Sequence, residues 1–236
     1  MIKEAIEKIL ELGKVEEFKI GDREYTSKPI FPVVGPTPKV LNVDTLTGFT
    51  DYISANIDRL SVPADLLIHV KDHNLVELIS HLSDDFKQRD HYVAASRELA
   101  GFPFGNFMDV ESFIIRMQSM FVQDEATAAI LKIVGNVGDG VVRNFKDDGV
   151  TQEATVKTGV SRVENIPVPN PVELAPYRTF LEIEQPKSKF VFRMRSGQEA
   201  PTCALFEADG GAWKNEAIIR IRDWLKNKVK GIAVIA

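Results

Sequence analysis

Cysteine is almost absent from this chain of 236 residues, which contains only Cys203. A single thiol cannot form a disulfide within the chain, and zinc sites built on cysteine use two or more thiolates. The sequence therefore predicts a protein of a reducing compartment, the cytoplasm. Cys203 itself is expected in the core rather than as a nucleophile, because a buried thiol stays protonated.

Long apolar runs are absent as well. No stretch of 18 apolar residues occurs, so we expect no membrane span. The opening MIKEAIEKILELGK interrupts its apolar positions with Glu or Lys, unlike a signal peptide.

No Gly-x-Ser-x-Gly nucleophile motif is present. We therefore expect a protein that is not an enzyme, with no catalytic residue, no metal ion and no cofactor.

The composition is that of an ordinary globular protein, with 44% hydrophobic and 27% charged residues. The formal net charge is −5 and the pI about 5.5. This acidity argues against a protein that coats nucleic acid over its whole surface, but it permits a local basic patch.

Helical periodicity predicts four helical regions. The first spans residues 2–12, and Gly13 ends it. A second begins at a cap, Asp44 or Thr45, and runs to Leu60 with a buried stripe of Leu46, Phe49, Ile53 and Ile57. A third runs from Asp109 to Val134, and Gln123-Asp124-Glu125 divides it into two helices with Asp124 as a second cap. The last covers Trp213 to Val229.

Alternating patterns predict the strands. A hairpin spans Glu17 to Thr26 around Gly21-Asp22, and a meander spans residues 65–97. In that meander LVELISHL is either strand or helix, and we favour strand. Further strands are predicted at EATVKTGV, RTFLEIEQ, KFVFRMR, TCALFEA and the terminal IAVIA.

Together these elements predict an α+β fold. A helix-rich part with a small meander, residues 1–137, precedes a β-rich part, residues 138–236, which an amphipathic helix and a final strand close. The two parts are separate domains or share one core, and the sequence leaves both possibilities open.

The second half resembles a known family. NIPVPNPVELAPYRTFLEIEQ leads into KFVFRMR and then CALFEADGGAWKNEAIIRIRDWLKNKV. This order is similar to the YfdQ-like family of phage and prophage proteins, which has no assigned function. The resemblance covers about the last 110 residues well and implies a phage gene product in the cytoplasm of a bacterial host. It implies no catalytic residues.

Several clusters of polar residues are candidate functional sites. The histidines His69, His73, His81 and His91, with Asp72, Asp84, Asp85 and Asp90, are suited to zinc or manganese, but ordinary surface positions are favoured. Asp84-Asp85 and Asp147-Asp148 are expected in solvated turns. GNVGDG, residues 135–140, is predicted to be a helix stop and turn rather than a phosphate loop, because it follows a helix.

The last helix carries the one concentrated basic surface. Its candidate ligand-binding residues are Lys214, Arg220, Arg222 and Lys226. They form either a solvated face or a site for an anionic ligand or nucleic acid. Phe190 and Phe192 alternate with Arg193 and Arg195, which permits base stacking, but core packing is favoured.

Two functional hypotheses follow. The first is a non-enzymatic phage accessory protein that assembles into a homo-oligomer. It is motivated by the proline-rich stretches 29–38 and 167–176 and by the strand edge of IAVIA. The alternative is a nucleotide or nucleic-acid binding protein that acts in phage recombination or sequesters a host immune signal. An enzyme with dispersed residues near His69–His91 is a third possibility.

Overall fold

The structure is a computed structural model that combines five helices with strands arranged in four sheets over its described part. It describes residues 2–21, 23–27, 36–60, 65–83, 87–139, 141–147, 152–158, 162–168, 170–195 and 201–236. The chain divides into an N-terminal unit, Met1–Thr37 with Leu82–Gln88, and a main unit, Pro38–His81 with Arg89–Ala236.

The N-terminal unit contains one helix and one hairpin. Helix α1 spans Ile2–Gly13, and strands β1 (Glu17–Ile20) and β2 (Arg23–Thr26) pair antiparallel. Gly21 takes the turn with φ of 63°, a conformation that glycine adopts without steric cost. The predicted helix and hairpin are confirmed, although Asp22 lies outside the described residues.

The first sheet of the main unit has five strands in the order β14-β4-β5-β6-β3. Its strands are β3 (Leu41–Val43), β4 (Leu66–Asp72), β5 (Leu75–Ser80), β6 (His91–Ser96) and β14 (Ala233–Ile235). Strands β4, β5 and β6 form the predicted antiparallel meander, and LVELIS is a strand. The terminal β14 pairs parallel to β4, so the edge offered by IAVIA is used within the chain.

The second sheet of the main unit has the order β11-β12-β13-β7. Its strands are β7 (Met108–Asp109), β11 (Val172–Leu174), β12 (Ser188–Arg195) and β13 (Thr202–Glu207). A further antiparallel sheet consists of β8 (Val141–Asp147), β9 (Gln152–Thr158) and β10 (Arg162–Val168).

The remaining helices of the main unit are α2 (Leu46–Ala55), α3 (Val110–Met120), α4 (Glu125–Asp139) and α5 (Ala212–Lys228). Helices α2, α3 and α4 begin at side-chain caps, whereas Gly211 precedes α5 without one. The Thr45 hydroxyl accepts from the Gly48 N–H at 2.9 Å, and carboxylates of Asp109 and Asp124 accept from Ser112 and Thr127 N–H groups at 2.8 and 3.0 Å.

Two hydrophobic cores stabilise the main unit. One joins Phe113 and Met117 of α3 to Phe190 and Phe192 of β12, so residues on both sides of position 138 share it. The other packs Ile221 of α5, with its neighbours, against the five-stranded sheet. The α+β fold is confirmed, and the domain boundary near residue 138 stays a prediction. Among the described residues, no helix is both long and apolar enough to span a membrane.

Two helix ends were predicted wrongly. Helix α2 ends at Ala55 rather than Leu60, because Asn56 adopts the left-handed conformation with φ of 41°, and Ile57 is exposed instead of buried. Helix α4 runs through Gly135 to Asp139, so the predicted stop at the start of GNVGDG is wrong. A lone glycine costs a helix only about 1 kcal/mol, which is too little to end it.

RTFLEIEQ forms a loop rather than the predicted strand. The side chain of Gln185 explains why. Its carbonyl oxygen accepts from the Arg178 N–H at 3.0 Å, and its amide donates to the carbonyl oxygens of Phe180 and Ile183 at 2.9 and 3.3 Å. One buried amide therefore satisfies backbone groups that a strand would pair with a neighbour.

The proline-rich stretch 167–176 finds its partners inside the chain. Val172 and Leu174 pair with Phe190 and Ser188 of β12, and Leu174 is fully buried. The expectation that this stretch needs a partner outside the core is therefore wrong. Most of the other stretch, residues 29–38, lies outside the described residues.

Candidate functional site

A pocket of about 610 Å³ opens in the main unit where the ends of several elements meet. The β4–β5 turn, the segment that follows β6, the loop after β11 and the first turn of α5 contribute to its walls. Small-molecule sites typically measure about 300–1,000 Å³. The walls combine cationic and aromatic side chains: Arg97, Arg178 and Lys214, with Phe102, Phe104, Tyr177 and Trp213.

Arg178 is the most buried charge of the pocket, with only 9% of its side chain exposed. Its Nη1 donates to Glu207 Oε1 at 2.7 Å, and its Nη2 donates to the Ser188 hydroxyl. The guanidinium carbon lies 3.9 Å from the centre of the Trp213 ring. Burial lowers the pKa of Arg178 to about 10, against the opposing effects of Glu207 and Asp209, so the group is still a cation at neutral pH.

Arg178 is held in place by the RTFLEIEQ loop and its neighbours. The Arg178 N–H is bound by Gln185, and the preceding Tyr177 N–H donates to the Met120 carbonyl oxygen at 2.9 Å. On the other side, the Thr179 hydroxyl donates to the backbone carbonyl of His73. These bonds fix the backbone of the pocket wall on both sides of the guanidinium.

The N-terminus of α5 is already occupied by an anion of the chain itself. Asp209 Oδ1 accepts from the Gly211 N–H at 3.0 Å. Burial tends to raise the pKa of Asp209, but the Ser188 hydroxyl and the N–H groups of Gly211 and Trp213 lower it overall. Because Asp209 takes these donors, an external anion in the pocket depends on the side-chain cations.

His73 and Asp72 form a pair at the rim. Asp72 is hydrogen-bonded to Nδ1 of His73, and the imidazole meets the Trp213 ring edge-on with centroids 4.8 Å apart. Burial tends to raise the pKa of Asp72, but the N–H and ring of His73, helped by the charge of Lys214, lower it overall. Lys214 is therefore near this carboxylate without forming an ion pair with it.

Arg97 and Lys214 are the cations of the pocket wall without an ion pair among the described residues, although Asp72 lies near Lys214 and Lys214 Nζ lies 5.8 Å from the centre of the Trp213 ring. Within the described part of the chain, no carboxylate forms an ion pair with either of them. The Nε atoms of Arg97 and Arg178 are both buried without a hydrogen-bond partner there. Unsatisfied buried donors are rare in folded proteins, and here two of them belong to the wall of one pocket. Because both Nε atoms are buried, they do not contact the pocket, and these two side chains contribute positive charge to its wall.

The basic face predicted on α5 is only partly gathered at the pocket. Lys214 lines it, whereas Arg220 bonds to Glu216 and lies 3.3 Å from Glu184. Arg222 contacts Asp223 at 2.8 Å, and Lys226 is exposed in the last turn of the helix. Binding of an anionic ligand by these four residues together stays a prediction.

The other candidate residues fall into structural positions or outside the described part. His91 lies 3.7 Å from Glu77, and His73 pairs with Asp72. No three His, Cys, Asp or Glu side chains in the described ranges converge as metal ligands do. The pair Asp84-Asp85 and Asp148 lie outside the described residues, and the side chain of Asp147 is not described.

Cys203, Phe190 and Phe192 are all fully buried, which confirms the predicted core positions. Burial, with the nearby Asp109, raises the pKa of the Cys203 thiol to about 12. The thiol is therefore protonated at neutral pH and is not poised as a nucleophile.

Sequence reasoning missed Arg97, Tyr177 and Arg178. Arg178 stands at the start of a segment whose alternation predicts a strand, and in a strand its side chain would be one of several solvated charges. A buried arginine is recognised only when its partners Glu207 and Trp213, some 30 residues away along the chain, are brought beside it.

No family model matches this chain, and no curated protein or solved structure is significantly similar to it.

Proposed function

We propose that the protein is a binding protein for a small organic anion, which it holds in the pocket between Arg97, Arg178 and Lys214. This is a specific form of the anionic-ligand hypothesis raised by the sequence, with the site moved from the length of α5 to its first turn. The resemblance to YfdQ-like proteins stays a prediction, and under it the ligand would come from the cytoplasm of an infected bacterium.

One observation carries the proposal. Arg97 and Lys214 face the same pocket without an ion-pairing carboxylate among the described residues, beside a buried Arg178 whose charge Glu207 already balances. The pocket lining contains two carboxylates, Glu207 and Glu98. Glu207 pairs with Arg178, and Glu98 has no ion pair among the described residues. A cationic cleft with low-dielectric aromatic walls concentrates anions, because such walls focus the field.

Isothermal titration calorimetry with inorganic pyrophosphate tests this proposal. We expect saturable binding at one site per chain, weakened by added sodium chloride because ions screen the attraction. The double variant Arg97→Gln/Lys214→Gln should bind pyrophosphate at least about tenfold more weakly, since each lost charge contact contributes roughly 1 kcal/mol or more.

The matched control is Arg222→Gln/Lys226→Gln, which removes two cations of the same helix that do not line the pocket. It should leave the affinity unchanged. Absence of pyrophosphate binding, or an equal loss in both double variants, would overturn the proposal. Loss in the control alone would favour the basic face of α5 as the site.

Self-assembly is a second candidate function, and the apolar face of α1 favours it. Ile2, Ile9 and Leu10 are 80%, 68% and 66% exposed. We propose a second copy of this chain as the occupant of this face. An antiparallel pair of α1 helices covers the same apolar stripe, Ile2, Ile6, Ile9 and Leu10, in both copies.

Multi-angle light scattering across a micromolar concentration series tests the self-assembly. The variant Ile6→Lys/Ile9→Lys should shift the protein to monomer, because it places charges in the apolar seam. Glu7→Lys on the polar side of α1 is the control and should leave the oligomer intact. A wild-type protein that is monomeric throughout the series would exclude this candidate.

A further inference from the structure

We infer that the anion held in the pocket is a mononucleotide, whose base stacks on the ring of Tyr177 while its phosphate lies between Arg97 and Lys214. The inference rests on the proposed function and adds the chemical class of the ligand. It depends on which of the aromatic side chains in the pocket wall still has a face to offer.

Most rings of the wall are already engaged. Trp213 has the Arg178 guanidinium over its face and the His73 ring at 4.8 Å. Phe104 stacks on Phe190 at 5.1 Å, and Phe102 is 6% exposed. These three rings belong to the packing of the protein. A ligand could stack on them only by displacing the side chains that already contact them.

Tyr177 differs from these rings. It is 38% exposed, and within the described part of the chain no aromatic ring or cation lies against its face. Its backbone N–H is tied to the Met120 carbonyl oxygen at 2.9 Å, and its neighbour Arg178 is locked by Glu207 and Ser188. The ring is therefore carried on a fixed backbone, as a stacking platform requires.

The polar groups of the wall suit the rest of a nucleotide. Arg97 offers a planar fork of donors that matches phosphate oxygens, and Lys214 adds a point charge. Glu98 has no ion pair in the described part of the chain, and its carboxylate can accept from hydroxyl or amino donors of a nucleoside. A base, a sugar and a phosphate thus each find a matching group.

A single nucleotide fits better than a nucleic-acid strand. Strand-binding proteins track the backbone with an extended basic groove. Here Glu98 and Glu207 interrupt the cations, Arg220 and Arg222 further along α5 pair with carboxylates, and the chain has a net charge of −5. The three cations proposed to hold the ligand line one pocket of about 610 Å³ rather than an extended groove.

Calorimetric titration with adenosine and guanosine 5′-monophosphates, compared with ribose 5-phosphate, tests the inference. We expect at least one nucleotide to bind about tenfold or more tightly than ribose 5-phosphate, because stacking a base on an aromatic ring accounts for roughly this factor. Tyr177→Leu should lower the ratio of nucleotide affinity to ribose 5-phosphate affinity to about one. Tyr177→Phe, which keeps the ring, should retain the advantage.

The outcomes separate this inference from the proposed function. If ribose 5-phosphate and both nucleotides bind equally, or if Tyr177→Leu leaves the nucleotide advantage intact, the pocket binds anions but the stacking assignment is wrong. If none of the three compounds nor pyrophosphate binds, the proposed function itself fails. An oligoadenylate ten nucleotides long that binds more tightly than adenosine monophosphate would replace the mononucleotide with a strand.

Discussion

Helices α1 and α5 both carry apolar residues at helical spacing, but their surroundings differ. Helix α5 buries Ala217, Ile221 and Leu225 completely against the core of the main unit. Along α1 every described side chain is exposed. Periodicity therefore predicts both helices correctly, but it does not show whether the chain supplies a surface to cover the apolar face.

This difference has an energetic consequence. An isolated helix of fewer than about 12–15 residues is marginal in water, and a lone two-stranded hairpin is marginal too. Helix α1 has 12 residues, and the hairpin beside it in sequence has two four-residue strands. The stability of the protein should therefore reside in the main unit, and the N-terminal unit gains most from a partner.

The largest expected effect comes from truncating the buried face of α5. Leu225→Ala leaves a cavity in a core position that is fully buried, so we expect a loss of about 3 kcal/mol in the free energy of unfolding. Urea denaturation followed by tryptophan fluorescence measures it directly. Both tryptophans of the chain, Trp213 and Trp224, lie on α5 and report on the main unit.

The matched variant in α1 is Ile9→Ala. Because Ile9 is 68% exposed, its truncation should change the same free energy by less than about 0.5 kcal/mol. A loss as large as that of Leu225→Ala would show that α1 is packed as tightly as α5, and the contrast between the two helices would collapse.

A smaller effect is expected from ion pairs in the two regions. Arg178→Met removes a guanidinium that pairs with Glu207 and covers Trp213, and we expect a loss of about 2 kcal/mol in the free energy of unfolding. Lys8→Met breaks the Lys8–Glu11 pair of α1, whose side chains are 66% and 63% exposed, and should have no measurable effect. If Arg178→Met were as stable as the wild type, the free-energy cost of burying the cation would equal the stabilisation that Glu207 and Trp213 provide.

Local patterns predicted much of the fold but little of the site. The stripe of α5 and the cap at Asp124 follow from neighbours three or four residues away, so sequence alone identifies them. At the start of α2 the sequence left Asp44 and Thr45 open, and the structure assigns the cap to Thr45. The loop that presents Arg178 depends on the amide of Gln185, which replaces strand pairing and leaves no periodic signature.

The sequence does not predict the pocket, for a similar reason. Its wall joins His73, Arg97, Tyr177 and Trp213, which come from four separate segments of the chain. Their meeting depends on how the five-stranded and four-stranded sheets of the main unit are arranged, and no short-range pattern encodes that arrangement. Lys214 was the one member predicted, because its helix concentrates basic residues.

Among the variants of the main unit, the smallest effect concerns how a helix begins, and it tests whether packing outweighs capping. Asp124 Oδ1 accepts from the Thr127 N–H at 3.0 Å, and Asp124→Ala should lower the free energy of unfolding by about 1 kcal/mol, less than Leu225→Ala.

Burial tends to raise the pKa of Asp124, but the Thr127 N–H and Lys187 lower it overall. Because the folded pKa lies below the unfolded value of about 3.9, this stabilisation is complete above that value and is lost as the pH falls through the folded pKa. The difference in unfolding free energy between wild type and Asp124→Ala should therefore be constant from pH 7 to 5 and shrink below pH 4. Asp124→Asn keeps an acceptor for Thr127 but cannot ionise, so its difference from Asp124→Ala should stay flat with pH. A wild-type difference that grows on acidification would reverse the assigned direction of the pKa shift.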